Sequence, residues 1–281
     1  MKKHLILLFI FLTAASACGS KPAPENKFSV VVSIFPIYDA LKNIAGSSAD
    51  IISAVPAGSD PHSYEPAPST VRKIASANLC VIVADELDGW IKKSASPGTP
   101  VLTLSGDSRL MDDHNPHFWV SPPLMIIALE KITAIMSRLD PSGEAAYNKG
   151  FAAYRKQLEA LDKKIDDRLK NLKHRSFVQW HPAWDAYAVH YGLKISASVE
   201  GGHGKAPSLR ELARIIGLAK SSGARVLVSD PRAPETPAAS FVKETGGSLV
   251  LLDPLGGSGI GYESYIETMM TNTEKLAEAL E

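Results

Sequence analysis

From Phe28 onward the chain alternates short β-branched runs with longer helical patterns, and this alternation limits the available folds more than any other feature. Strand candidates fall at 29–34, 50–55, 79–84 and 101–104 in the first half, and at 176–179, 194–199, 225–229 and 248–252 in the second. Strands separated by helices form parallel sheets with helical covers. Between the two sets, Tyr147, Phe151, Tyr154, Leu158, Leu161, Ile165, Leu169 and Leu172 recur at helical spacing with charged residues between them. One amphipathic helix over 142–173 is expected, about 45 Å long at ~1.5 Å per residue and wider than one small domain. The second set adds helices starting near 207, 235 and 262. The chain is therefore expected to be α/β, with two similar lobes at 28–141 and 175–281 joined by a linking helix over 142–174.

Residues 1–27 read as an address rather than as fold. Met1-Lys2-Lys3-His4 is a cationic start, 5–12 is an apolar run, and Thr13 to Cys18 is a stretch of small residues suited to processing. Eight apolar residues are too few for a helix to cross a hydrocarbon layer of ~30 Å. Residues 1–17 are thus an export signal, and 18–27, with two prolines, a flexible tether. Cys18 sits where a bacterial lipoprotein carries its lipid, although Ala15 replaces the usual Leu; cleavage after Ala17 without lipidation is the alternative. Removing 1–17 takes away two lysines and no acid, so the balance of 30 basic and 30 acidic residues becomes a charge of −2. Such a surface offers no field for nucleic acid. With two cysteines, of which Cys80 lies in an apolar strand pattern, a Cys-rich metal module is excluded. A metal site must use histidine and carboxylate.

Three histidines stand just beyond predicted strands, where open α/β sheets place their ligands. His62 lies in a Gly- and Pro-shaped turn after 50–55, His117 precedes a helical run, and His181 follows 176–179. Two belong to the first lobe and one to the second, so a common site would lie between lobes. Neutral imidazoles suit Zn²⁺, and one carboxylate would complete a tetrahedron. A single histidine is more often a hydrogen-bonded structural group, and spacing alone does not select a metal.

Local motifs add to this. Asp60-Pro61-His62-x-Tyr64-Glu65-Pro66, Asn115-Pro116-His117-x-Trp119-x-Ser121-Pro122, His181-Pro182-Ala183-x-x-Ala186-Tyr187, Tyr191-Gly192-Leu193 and Leu252-Asp253-Pro254-Leu255-Gly256 occur in that order. Together they resemble the landmarks of metal-specific solute-binding proteins of bacterial ABC transporters. The resemblance implies two lobes, each a mainly parallel four-stranded sheet flanked by helices, joined by one long rigid helix with the metal at the interface. Carried over by position, His62, His117 and His181 are the nitrogen ligands and Asp253 the carboxylate. Manganese-type relatives commonly have Glu in the third motif, so His181 favours zinc over Mn²⁺ or Fe²⁺. The implied protein is an exported, monomeric zinc carrier that serves a permease with a separate ATPase and performs no chemistry itself.

The sequence also departs from that family. Only Met111-Asp112-Asp113-His114-Asn115 stands where many zinc-type members have a long His-rich loop. Asn115 replaces a frequent Asp, and Lys205-Ala206-Pro207-Ser208 replaces a frequent Glu-Pro-Ser. Asp230, also at a strand end, competes with Asp253 for the oxygen position, and Glu65 is a further candidate. His114 and His203 are candidates for transient capture, whereas His174 and His190 suit structural roles. Trp119, Trp180, Trp184 and Tyr187 suit an apolar wall that keeps the site dry. A zinc hydrolase with Glu65 or Asp230 as base is the competing class, and it lacks a His-Glu-x-x-His pair. A surface adhesin with incidental histidines is the third class.

Overall fold

The computed structural model describes residues 27–110, 115–199, 208–232, 235–257 and 259–281. The export signal and nearly all of the tether, together with His114 and His203, lie outside the described residues. The first half contains β1 (Phe28–Val32), α1 (Phe35–Ala45), β2 (Ala49–Ser53), α2 (Pro68–Ala75), β3 (Leu79–Ile82), α3 (Asp85–Asp88), α4 (Trp90–Ser94), β4 (Val101–Thr103) and α5 (Pro122–Leu139). The long α6 (Glu144–Leu169) leads to β5 (Ser176–Gln179), α7 (Asp185–His190), β6 (Lys194–Ser198), α8 (Leu209–Ser222), β7 (Val226–Ser229), α9 (Glu235–Thr245), β8 (Ser248–Leu251) and α10 (Tyr265–Leu280).

The strands form two four-stranded parallel sheets with one topology, β2-β1-β3-β4 and β6-β5-β7-β8. Successive side chains along a strand face opposite ways, and the core divides accordingly. Val30, Val32 and Val81 of the first sheet join Phe177, Val226 and Val228 of the second in one continuous cluster with residues of α1, α5, α6 and α10. Val31, Cys80 and Ile82 face a smaller core with Ile74 and Ile91. Val178 and Leu227 face another with Ile215 and Phe241. Cys80 is a core filler, and burial pushes its thiol up to about 11.

The two sheets therefore share an apolar interior as well as a connecting helix. The C-terminal segment strengthens that union: Tyr265 donates its backbone N–H to Asp39 of α1 and its hydroxyl to the Trp119 carbonyl. On α6, Tyr147, Tyr154, Leu158, Leu161, Ile165 and Leu169 are buried. The helix is shorter than the 142–173 expected, and side chains engage the chain at both of its ends. Asp140 accepts from the Ser142 and Tyr147 hydroxyls before the helix begins. Arg175 donates to the Leu169 carbonyl at 2.7 Å and satisfies a terminal acceptor. No helix among the described residues is long and apolar enough to cross a membrane.

Candidate metal centre

Each of the three histidines is aimed by short-range chemistry beyond a sheet edge. After β2, Asp60 accepts from the His62 backbone N–H at 2.9 Å and from the Ser63 hydroxyl at 3.0 Å, closing a turn on its own side chain. After β4, the Asn115 carbonyl oxygen accepts from the His117 backbone N–H at 3.1 Å and lies 2.7 Å from the ring Nδ1. An amide oxygen only accepts, so Nδ1 is the donor in this contact. After β5, the buried Gln179 shapes the turn around His181: its Oε1 accepts from the Trp184 N–H, and its Nε2 donates to Asp185 and Ser198.

These turns bring one nitrogen of each ring to a common point. His117 Nε2 lies 3.4 Å from His62 Nε2 and 3.1 Å from His181 Nε2. The ligand atoms of all three residues lie within 4.8 Å of one another. Zinc–nitrogen bonds of ~2.0–2.1 Å meeting at a tetrahedral angle hold nitrogens about 3.3–3.4 Å apart, close to the two separations that His117 makes. His117 is buried, while His62 and His181 are half-buried. The Trp119 ring packs 5.0 Å from that of His117, and its Nε1 donates to the Pro254 carbonyl. Trp180, Trp184 and Tyr187 are also buried.

The carboxylates expected as candidates lie outside that group of ligand atoms. Asp253 is 5% exposed, and its Oδ1 accepts from Arg232 Nη2 at 2.7 Å and from the Leu255 N–H at 2.9 Å. Asp230 is committed to Arg232 through both oxygens, at 2.7 and 2.6 Å. Burial disfavours the Arg232 charge, but Asp230 and Asp253 outweigh it and hold the guanidinium above its usual range. Glu65 is exposed. His190 ends α7 and contacts Asp162 of α6 at 2.7 Å, a structural tie.

The sequence reading missed Gln179, Asp185 and Arg232 as supports of the site. A polar Gln closing the apolar run Phe177-Val178 was the available signal for the first. Arg232 carried no local signal, because its Asp253 partner is 21 residues away.

A family model described as the periplasmic zinc-uptake complex component A, ZnuA, matches residues 30–279. The zinc-binding lipoprotein AdcA of Streptococcus pneumoniae serotype 4 is 28% identical over 305 residues, covering 99% of this chain. The chain spans 61% of the length of that relative. The high-affinity zinc uptake system protein ZnuA of Bacillus subtilis is 27% identical over 295 residues, covering 95% of this chain and 92% of that protein. Among solved structures, the Zn(II)-bound ZnuA-like domain of S. pneumoniae AdcA superposes with a TM-score of 0.76 at 28% identity, over 90% of this chain and 99% of that one. A match over nearly the whole fold, on a site of converging imidazoles, makes the chain a member of the periplasmic ZnuA family, component A of zinc-uptake complexes.

Proposed function

We propose that this chain is an exported solute-binding protein that captures Zn²⁺ between its two lobes and hands it to an ABC permease driven by a separate ATPase. It is a carrier and not an enzyme, and zinc is its cargo. The convergence of three imidazoles, with the His117 nitrogen at zinc-like separations from the other two, carries this reading. His62, His117 and His181 are its nitrogen ligands. Asp253, whose Oδ1 is held by Arg232 and the Leu255 N–H, is the carboxylate that would complete the set. Three nitrogens and one oxygen suit zinc better than manganese, which prefers more oxygen. Four protein donors also close the position a catalytic water needs.

With lobes taken as 28–141 and 175–281 around a linking helix at 142–174, His62 and His117 belong to one lobe and His181 and Asp253 to the other. The chain works outside the cytoplasm as a monomer, exported by residues 1–17 and tethered through a lipid on Cys18. Titration of the chelator-stripped protein should show one zinc per chain, preferred over Mn²⁺, with binding severely weakened in His181→Ala. No zinc uptake by the wild-type chain, or equal uptake by His181→Ala, would refute the proposal.

A further inference from the structure

Asn115 is held from both sides of the cleft. Its side-chain oxygen faces the His117 N–H and Nδ1, and its Nδ2 faces the Pro182 carbonyl at 2.8 Å and Asp185 Oδ2 at 3.0 Å. The orientation of the amide is therefore fixed by chemistry: one end meets donors and the other meets acceptors. Pro182 directly follows His181, and Asp185 also binds Gln179, which shapes the same turn.

We propose that Asn115 is a positioning residue for the metal site, with two separable roles that rest on the metal-capture reading. Its carbonyl sets His117 in the Nδ1–H tautomer, leaving the Nε2 lone pair for the ion. Its amide ties the His117 turn to the turn carrying His181, so ligands from both lobes stand at coordination distance before zinc arrives. A carboxylate at this position would keep the first role and destroy the second, because its oxygen would oppose the Pro182 carbonyl and the Asp185 carboxylate.

The test uses the full chain, metal-stripped and labelled with ¹⁵N in its imidazoles, in mildly alkaline buffer, together with zinc titration against a competing chelator. Wild-type His117 is expected as the Nδ1–H tautomer, a readout that needs no variant; the Nε2–H tautomer would overturn the inference. Loss of a partner that orients a metal-binding imidazole typically costs 10–100-fold in affinity. Asn115→Ala should show that loss together with mixed His117 tautomers. Asn115→Asp should keep the tautomer yet bind zinc more weakly. Wild-type affinity in Asn115→Ala or in Asn115→Asp would overturn the inference while leaving metal capture intact. A wild-type chain that binds no zinc would instead remove the reading on which it rests.

Discussion

Two glycine-to-alanine substitutions should move stability in opposite directions, although helix propensity favours alanine in both. Gly150 lies inside α6 where it crosses the end of α1, and a Cβ there would sit 2.0 Å from the Ile44 carbonyl oxygen and 2.8 Å from its carbon. A backbone carbonyl has no rotamer to escape into, so the two helices must separate by about 1 Å. That separation loosens the buried contacts of Leu41, Ile44, Tyr147 and Tyr154 in the shared core. Overpacking of this kind costs roughly 1–3 kcal/mol, and against a backbone atom the upper half of that range applies. The propensity gain offsets about 1 kcal/mol. Gly150→Ala should therefore lose about 1–2 kcal/mol, or roughly 2–8 °C in Tm for a chain of this size. Gly217 in α8 has no atom within 4 Å of an added Cβ, and Gly217→Ala should gain ~0.5–1 kcal/mol. Thermal and urea melts of the metal-stripped proteins, followed by circular dichroism, measure both. A Gly150→Ala protein as stable as the parent would refute the close packing of α1 on α6, and with it the rigid frame behind the site.

The remaining expectations concern the proposed fourth ligand, a buried carboxyl with a raised pKa and the extent of lobe motion. Asp253→Asn should weaken zinc binding at least tenfold, as loss of a metal ligand or its orienting partner does; unchanged affinity in a competition titration would leave three imidazoles as the whole protein contribution. Asp88 is buried where it accepts from the Val83 and Ala84 N–H groups, and burial pushes its carboxyl up from 3.8 to about 6. The folded state therefore holds this proton more tightly than the unfolded chain, so the group favours folding below about pH 4 and loses that contribution as pH rises through 6. The stability difference between Asp88→Asn and the parent should shift toward the variant over that window, by up to about 3 kcal/mol, and a difference independent of pH in urea melts would contradict the assignment. Because α1, α6 and α10 share one core, metal loading should produce small lobe tilts and loop adjustment near Asp253. Scattering profiles of stripped and loaded protein should nearly superimpose, and a large change in radius of gyration would oppose this view.

What could be read from sequence followed from how local each signal was. The β-branched runs located all eight strands, because a strand buried between helices needs an apolar stretch of that length. Helix starts were less well placed. The expectations near 207 and 262 followed Pro207 and Tyr262, whereas α8 and α10 begin after Ser208 and Ser264, whose hydroxyls accept from the backbone N–H groups of Glu211 and Glu267. Both are Ser-x-x-Glu capping patterns visible in the sequence. The end of α6 was not visible, since the apolar period continues to Leu172 and Arg175 reaches back to cap the helix. The shared interior was equally hidden: Tyr265 meets Asp39 across 226 residues. The three histidines were legible through their motifs. Their supports depend on contacts such as Asn115 with Asp185, 70 residues apart, that no local pattern announces.

X-ray absorption of protein loaded with one equivalent of zinc tests the central claim most directly. The account predicts a first shell of nitrogen and oxygen at ~2.0–2.1 Å, with scattering from three imidazole rings. A shell with one imidazole or none would mean that His62, His117 and His181 do not share an ion, and would contradict the account.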